Sequence, residues 1–273
     1  MKIDFVKYHG AGNDFIIIDD YAGLLDLSGL TTTVIERLCH RHFGIGADGL
    51  MILKNHPDYD FEMVYHNSDG RRSSMCGNGG RCIVDLAYKK GILKNDLIHF
   101  LAADGPHEAK IGDGVIILGM SNVLELESKG PKAYFLDTGS PHFVTLVEDL
   151  DLDLISEAHL IRYSSEYKEK GTNVNFIKPV EKGLEIRTYE RGVEDETLAC
   201  GTGITAAVLA YTHHLDSEIN QVNVLAKGGE LSVTFKKKGN GWEDIWLIGP
   251  AQEVFVGTID LSDIESTIES VST

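Results

Sequence analysis

The 273-residue chain is long enough for one large domain or two medium ones, and its 42% hydrophobic and 25% charged residues exclude disorder as the default state. Its 25 Lys and Arg against 42 Asp and Glu give a net charge of −17, which repels phosphate backbones and excludes nucleic acid from the expected partners. No stretch approaches the about 18 consecutive apolar residues of a membrane span, no apolar signal core opens the chain, and four cysteines in a chain of this length fit a reducing cytoplasm better than a disulfide framework.

In chain order, the first residues alternate apolar and polar, and Val34–Cys39 reads as a helix with one apolar face. The Cys39-His40-Arg41-His42 run that follows reads as a solvated helix end. Gly44-Ile45-Gly46-Ala47-Asp48-Gly49 spells the dinucleotide fingerprint, but a helix precedes it and strand-like Leu50–Leu53 follows it. That order is the reverse of what pyrophosphate binding needs, so no nicotinamide or flavin is expected. Phe61–Tyr65 alternates as a half-buried strand. Residues 77–90, after Cys76, read as a helix stopped by Gly91. Strand patterns follow at 115–118, 133–136, 173–177, 184–189, 231–235 and 245–248, with a polar, glycine-bearing crossing segment near 119–132. Residues 201–211, after Cys200, are apolar on nearly every side, and a helix without a polar face must be buried. Strands dominate and helices are few, so a doubly wound α/β sheet is not expected.

The two helices begin alike, with Cys-Gly-x-Gly, which is a weak internal repeat and predicts two related domains facing each other. Inverting a carbon that bears hydrogen requires removing a proton from one face and delivering one to the other. A thiol suits both tasks, since its pKa of about 8.5 falls further at a helix amino terminus or beside a cation. The bare glycine N–H groups let a carboxylate approach and stabilise the negative charge left when the α-proton departs. Cys76 and Cys200 are therefore expected to be an acid and base pair, whereas Cys39 and Cys82 read as buried core. No Cys-x-x-Cys or paired-ligand spacing suggests zinc, so no metal is expected.

At these residues the chain resembles the diaminopimelate epimerases. The matching stretches are His9–Phe15, Gly44–Asp48, Asn67–Gly70, Met75–Cys82, Thr138–His142, Glu190–Gly192 and Cys200–Gly203, in the family's order along nearly the whole chain. The resemblance implies an α+β fold of two pseudo-symmetric domains, each a β-barrel-like sheet wrapped around a central helix. The domains would be 1–118 plus 253–273, with Cys76, and 119–252, with Cys200. The implied reaction interconverts LL- and meso-2,6-diaminopimelate, on the way to lysine, with no cofactor and no pyridoxal phosphate, in a cytoplasmic protein that is often a homodimer. By the same resemblance His142 and Glu190 tune the two thiols, the histidine beside Cys76 and the carboxylate near Cys200. Gly77, Asn78, Gly201 and Thr202 offer donors to the reacting carboxylate, and Asn13, Asn67, Asn173, Glu190 and Arg191 match the substrate-binding positions.

The chain departs from the family's pattern at four places. Gly49 stands where some members carry a glutamine, and Ser140 where some carry an asparagine. Arg71-Arg72 replace a small and an acidic residue, and the acidic loop 193–197 is one residue longer. Two other readings stay open on sequence: a racemase of another amino acid, of the histidine or proline type, and a binding protein without catalysis.

Overall fold

The computed structural model describes residues 2–216 and 218–264. In chain order it contains β1 (Lys2–Gly10), β2 (Asn13–Asp20), α1 (Thr32–Cys39), β3 (Gly49–Lys54), β4 (Phe61–Asn67), α2 (Gly77–Lys89), β5 (Leu97–Ala102) and β6 (Gly105–Ile111). There follow β7 (Ile116–Gly119), β8 (Glu127–Gly130), β9 (Ala133–Asp137), β10 (Pro141–Leu146), α3 (Leu154–Arg162), β11 (Asn173–Val180), β12 (Gly183–Glu190) and β13 (Asp195–Thr197). The last elements are α4 (Gly201–His214), β14 (Gln221–Ala226), β15 (Gly229–Lys238), β16 (Gly241–Gly249) and β17 (Gln252–Asp260). The chain divides after Ile116 and again after Gly249, so the first unit takes back the end of the chain from Pro250 and the second is continuous. The sequence reading sets these cuts after 118 and after 252. Residues 265–273 of its first domain lie outside the described residues.

The two units repeat one path. In the first, β1–β2, β3–β4 and β5–β6 pair antiparallel, while β2–β3 and β4–β5 pair parallel. In the second, β9–β10, β11–β12 and β14–β15 are antiparallel, while β10–β11 and β12–β14 are parallel. Parallel neighbours cannot be joined by a tight turn, so each parallel pair carries a crossover, and the crossovers hold the helices. Helices α1 and α2 fill them in the first unit, α3 and α4 in the second. The fold is thus α+β, sheet-dominated and pseudo-symmetric.

Each sheet has a helix on both faces of its inner strands. In β2, Phe15, Ile16, Ile17 and Ile18 are all buried, the continuous apolar run of a strand covered on two sides. One cover is α1, whose Val34, Ile35, Leu38 and Cys39 pack with Ile3, Phe5, Ile16, Ile18, Leu50 and Ile52. The other is α2, packed on β1, β2 and β3. In the second unit α3 sets Leu154 and Ala158 against Val174, Phe176 and Tyr189, and α4 packs on the opposite face, against β9 to β12 and β14 to β16.

Burial rather than propensity makes the two inner helices, since each starts with glycines that disfavour a helix. In α2, Cys82, Ile83, Val84, Leu86 and Ala87 are buried, and in α4 every residue from Gly203 to Ala210 is. Each such Val, Ile or Leu side chain contributes about 1.5–3 kcal/mol. Helix α2 ends where Gly91 turns to φ 70° and its N–H bonds the Tyr88 carbonyl at 2.9 Å. Helix α4 runs three residues beyond the expected stop at 211, to His214, and the buried Thr212 in that extension satisfies its hydroxyl on the Val208 carbonyl at 3.0 Å. Among the described residues no helix is long and apolar enough to cross a membrane.

Candidate active site

Cys76 is the residue immediately before α2, in extended conformation (φ −104°, ψ 124°), and its side chain does not cap the helix. The first N–H groups of α2, from Gly77 onward, therefore have no capping side chain at Cys76. The first bond of the helix is Gly80 N–H to the Cys76 carbonyl at 2.7 Å. The Cys76 thiol donates to Asn13 Oδ1 at 3.5 Å, and Asn78 Nδ2 donates to the same oxygen at 3.3 Å.

Charged groups fix both ends of this chain of amides. Arg81 is fully buried in α2 and donates from Nη2 to Asn78 Oδ1 at 2.8 Å. Burial pushes its guanidinium pKa down, while the sulfurs of Cys82 and Cys76 hold it up. At the far end Asn13 Nδ2 donates to Asp48 Oδ2 at 2.5 Å. Asp48, from the fingerprint-like loop before β3, also accepts from Asp14 N–H at 3.1 Å and from Arg41 Nη2 at 2.6 Å. Asp14 completes the cluster. Although burial opposes it, hydrogen bonds from Arg41 and Lys7 hold its carboxyl down at about 2, and Lys7 also donates to the Gly46 carbonyl. Arg41 is thus an ion-pair partner, where the sequence reading made it part of a solvated helix end.

Cys200 occupies the same place before α4 (φ −117°, ψ 112°), again without a capping bond. Its Sγ lies 3.4 Å from Thr202 Oγ1, and that hydroxyl lies 2.9 Å from His142 Nε2. The protons of this relay follow from Asn175, which is fully buried. Its Oδ1 accepts from Thr188 at 3.0 Å, so its Nδ2 is the donor to the Phe143 carbonyl at 3.0 Å and to His142 Nδ1 at 3.1 Å. A neutral His142 then carries its hydrogen on Nε2 and donates it to Thr202, which leaves the threonine hydroxyl to donate to Cys200. Asn173 Nδ2 lies 3.4 Å from Nε2, but its two hydrogens already serve Ser140 Oγ and the Pro141 carbonyl, each at 2.9 Å. Burial lowers the His142 pKa to about 3, and the Arg191 charge adds to that. His142 therefore acts in this unit as a neutral donor.

Close approach sets the glycine of this motif. A Cβ on Gly203 would lie 2.6 Å from Asn175 Oδ1 and 3.3 Å from His142 Cε1. Thr138, also from the Thr138–His142 stretch, donates its hydroxyl to the Thr202 carbonyl at 2.9 Å and so ties the turn between β9 and β10 to the start of α4.

The other expected residues divide by unit. Asn13, Asn67, Gly77 and Asn78 belong to the first with Cys76, and His142, Asn173, Glu190, Arg191, Gly201 and Thr202 to the second with Cys200. Asn67 ends β4, is exposed, and closes the turn in which Gly70 N–H bonds its carbonyl at 2.9 Å. Asn173 is buried, and its Oδ1 accepts the Arg191 N–H at 2.8 Å, so its whole amide serves the protein. Glu190 is half-buried at the end of β12, and Arg191 reaches the Lys170 carbonyl at 2.9 Å. Cys39 and Cys82 are buried, and burial pushes the Cys39 thiol up to about 12 and Cys82 higher. Asp48, Arg81, Thr138 and Asn175 carry much of this geometry and are absent from the sequence-based set. An arginine on the buried face of α2, and a second asparagine two residues after Asn173 in one strand, were the readable signals.

The duplicated sheet-and-helix unit defines the class by its fold, which solved structures described as PhzF-family proteins and epimerases share. A Bacillus anthracis phenazine biosynthesis protein of the PhzF family superimposes with a TM-score of 0.71 at 13% identity, covering 95% of this chain and 99% of that one. A hydroxyproline epimerase from Agrobacterium vitis gives 0.65 at 14% identity, covering 94% and 92%. Sequence takes the assignment further. The family model described as diaminopimelate epimerase matches residues 5–118 and 134–254. The diaminopimelate epimerase of Flavobacterium psychrophilum is 46% identical over 93% of this chain and 98% of its own, and that of Chlorobaculum tepidum 43% over 92% and 99%. The chain belongs to the diaminopimelate epimerase family, a family of isomerases.

Proposed function

We propose that this chain interconverts LL- and meso-2,6-diaminopimelate by direct proton exchange, with Cys76 and Cys200 as acid and base and no resident cofactor. One thiolate takes the α-hydrogen as a proton, the C–H electron pair passes into the adjacent carboxylate, and the other thiol returns a proton to the opposite face. Reversing direction exchanges the two roles. The observation that carries this reading is the repetition itself: a cysteine holds the uncapped position before the one buried helix of each duplicated unit. Donors from Gly77, Asn78, Gly201 and Thr202 would hold the reacting carboxylate and the charge that grows on it. Glu190 and Arg191 supply opposite charges for the distal amine and carboxylate, with Asn67 and Asn173 shaping that end, while Asn13 contributes to binding from beside Cys76. Asn173 does so by fixing the Arg191 backbone.

The protein would work in the cytoplasm as a homodimer, without nucleic acid or membrane. It has only four cysteines, its charge is −17, and Val254, Phe255 and Val256 in β17 form an exposed apolar row. The deciding experiment follows deuterium entry from D2O at the α-carbon of diaminopimelate, histidine and proline. Diaminopimelate alone should exchange, and Cys76→Ala and Cys200→Ala should each lose at least about 10³-fold of epimerisation while keeping their fold. Racemisation retained by either variant, or exchange on histidine alone, rejects the reading.

A further inference from the structure

The two sulfurs have neighbours of opposite hydrogen-bond polarity. Cys200 faces a hydroxyl whose proton is free to point at it, because His142 already donates to that oxygen. Cys76 faces a carbonyl oxygen, Asn13 Oδ1. An amide can turn either end toward a thiol, so something must hold this one. The guanidinium of Arg81 only donates, which makes Asn78 Oδ1 its acceptor and turns Asn78 Nδ2 onto Asn13 Oδ1. A carboxylate only accepts, which makes Asp48 the acceptor for Asn13 Nδ2. Cation, amide, amide and anion run in one direction, and the only orientation that satisfies all of them aims an acceptor at Cys76.

We propose that Asp48 is a positioning residue that holds the Asn13 carbonyl against Cys76, so that Cys76 rests as the proton donor of the pair. The proposal rests on the two-cysteine reading for its meaning in catalysis. An S–H can donate to that oxygen, whereas a thiolate there meets a lone pair, so the contact favours the protonated form. Against it stand the buried Arg81 charge and the helix amino terminus, both of which favour the thiolate. The charged and titratable groups near this point in the first unit include Arg81 and Cys82 from α2, Lys7 from β1, Asp14 from β2, Arg41 after α1, Asp48 itself, and Asp104, which accepts the Met75 N–H at 3.1 Å with His107 beside it. Without the carbonyl, the Arg81 charge and the helix amino terminus act on the thiol unopposed by it. Asp48 reaches Cys76 through Asn13 alone, while its bonds to Arg41 and the Asp14 N–H belong to the ion cluster.

The test reads thiol chemistry instead of turnover. In a Cys200→Ala background, alkylation of Cys76 by iodoacetamide is followed against pH by peptide mass spectrometry, alongside the melting temperature. In Asp48→Ala the profile should move to lower pH, with the rate at pH 7 rising about tenfold. Asp48→Asn keeps an oxygen for Asn13 Nδ2 but loses the ion pair with Arg41, and should stay within about twofold of the parent. Asn13→Ala should behave like Asp48→Ala, and decides the matter should Asp48→Ala not fold. Asp14→Asn, which disturbs the ion cluster only, should leave the profile in place. An unchanged or slower Cys76 in Asp48→Ala and Asn13→Ala, or an Asp48→Asn that tracks Asp48→Ala, overturns the proposal. Failure of the two-cysteine reading appears separately, as epimerisation surviving in the Cys200→Ala background.

Discussion

His142 titrates far from where an exposed imidazole would. Its native pKa, about 3, lies below the ordinary 6.5 because burial excludes the charged form. Between those values the unfolded chain binds a proton that the native protein does not, so stability rises with pH across the window and is lost on acidification. The effect is bounded at about 4–5 kcal/mol, from about 1.4 kcal/mol per unit. Melting temperature measured from pH 7 to pH 4 should fall less steeply in His142→Asn than in the parent, and equal slopes would contradict the assignment. Gly49 makes a different demand. A Cβ there would lie 2.5 Å from the Tyr65 ring and 2.6 Å from the His66 carbonyl, so the glutamine carried by some family members has no place beside Tyr65. Gly49→Ala should cost about 1–3 kcal/mol. Replacing Tyr65 with leucine as well should restore only part, since the His66 carbonyl remains. An alanine at 49 that melts with the parent would show that the strand yields.

At the scale of elements, what the sequence revealed was what repeats locally. The apolar α4, the stop at Gly91 and the alternation of β4 are each written within a few residues. So was the reversed order around Gly44–Gly49, which α1 and β3 bear out. Strands β5 and β6 escaped because their exposed faces carry histidine, lysine and glutamate on patterns too short to separate from loop. The site was legible where a cysteine announced a helix start and illegible where a side chain acts on a distant one. Asn13 and Asp48 are 35 residues apart, and Thr138 and Thr202 are 64. No local pattern couples such pairs. The acidic loop before Cys200 was legible as a departure but not as an anchor. Glu194 accepts from Tyr189 at 2.8 Å, Tyr163 at 3.1 Å and Arg162 at 3.0 Å, while Glu196 takes a bidentate Arg187 and Lys227. Its charges are mostly paired, so the loop is held in place by them.

For the whole molecule, the apolar row on β17 bears on assembly. Val256 is 68% exposed, Val254 53% and Phe255 46%, on a strand that pairs with β1 from Lys2 to His9. A lysine in such a row removes contact area and repels its own copy across a two-fold axis. On the proposed homodimer, the parent should sediment as a dimer and Val256→Lys as a monomer at micromolar concentration, with its melting curve little changed. A variant that remains dimeric would place the interface elsewhere.

The pairing of β1 with β17 also orders events during translation. The second unit is continuous and can close once residue 249 has left the ribosome, whereas β1 waits for β17, made after the whole second unit. Until then β1 exposes an unsatisfied backbone edge and an apolar flank to its surroundings. The unit that is translated earlier is therefore the one that finishes folding later, and the nascent protein is most vulnerable to misassociation over that interval.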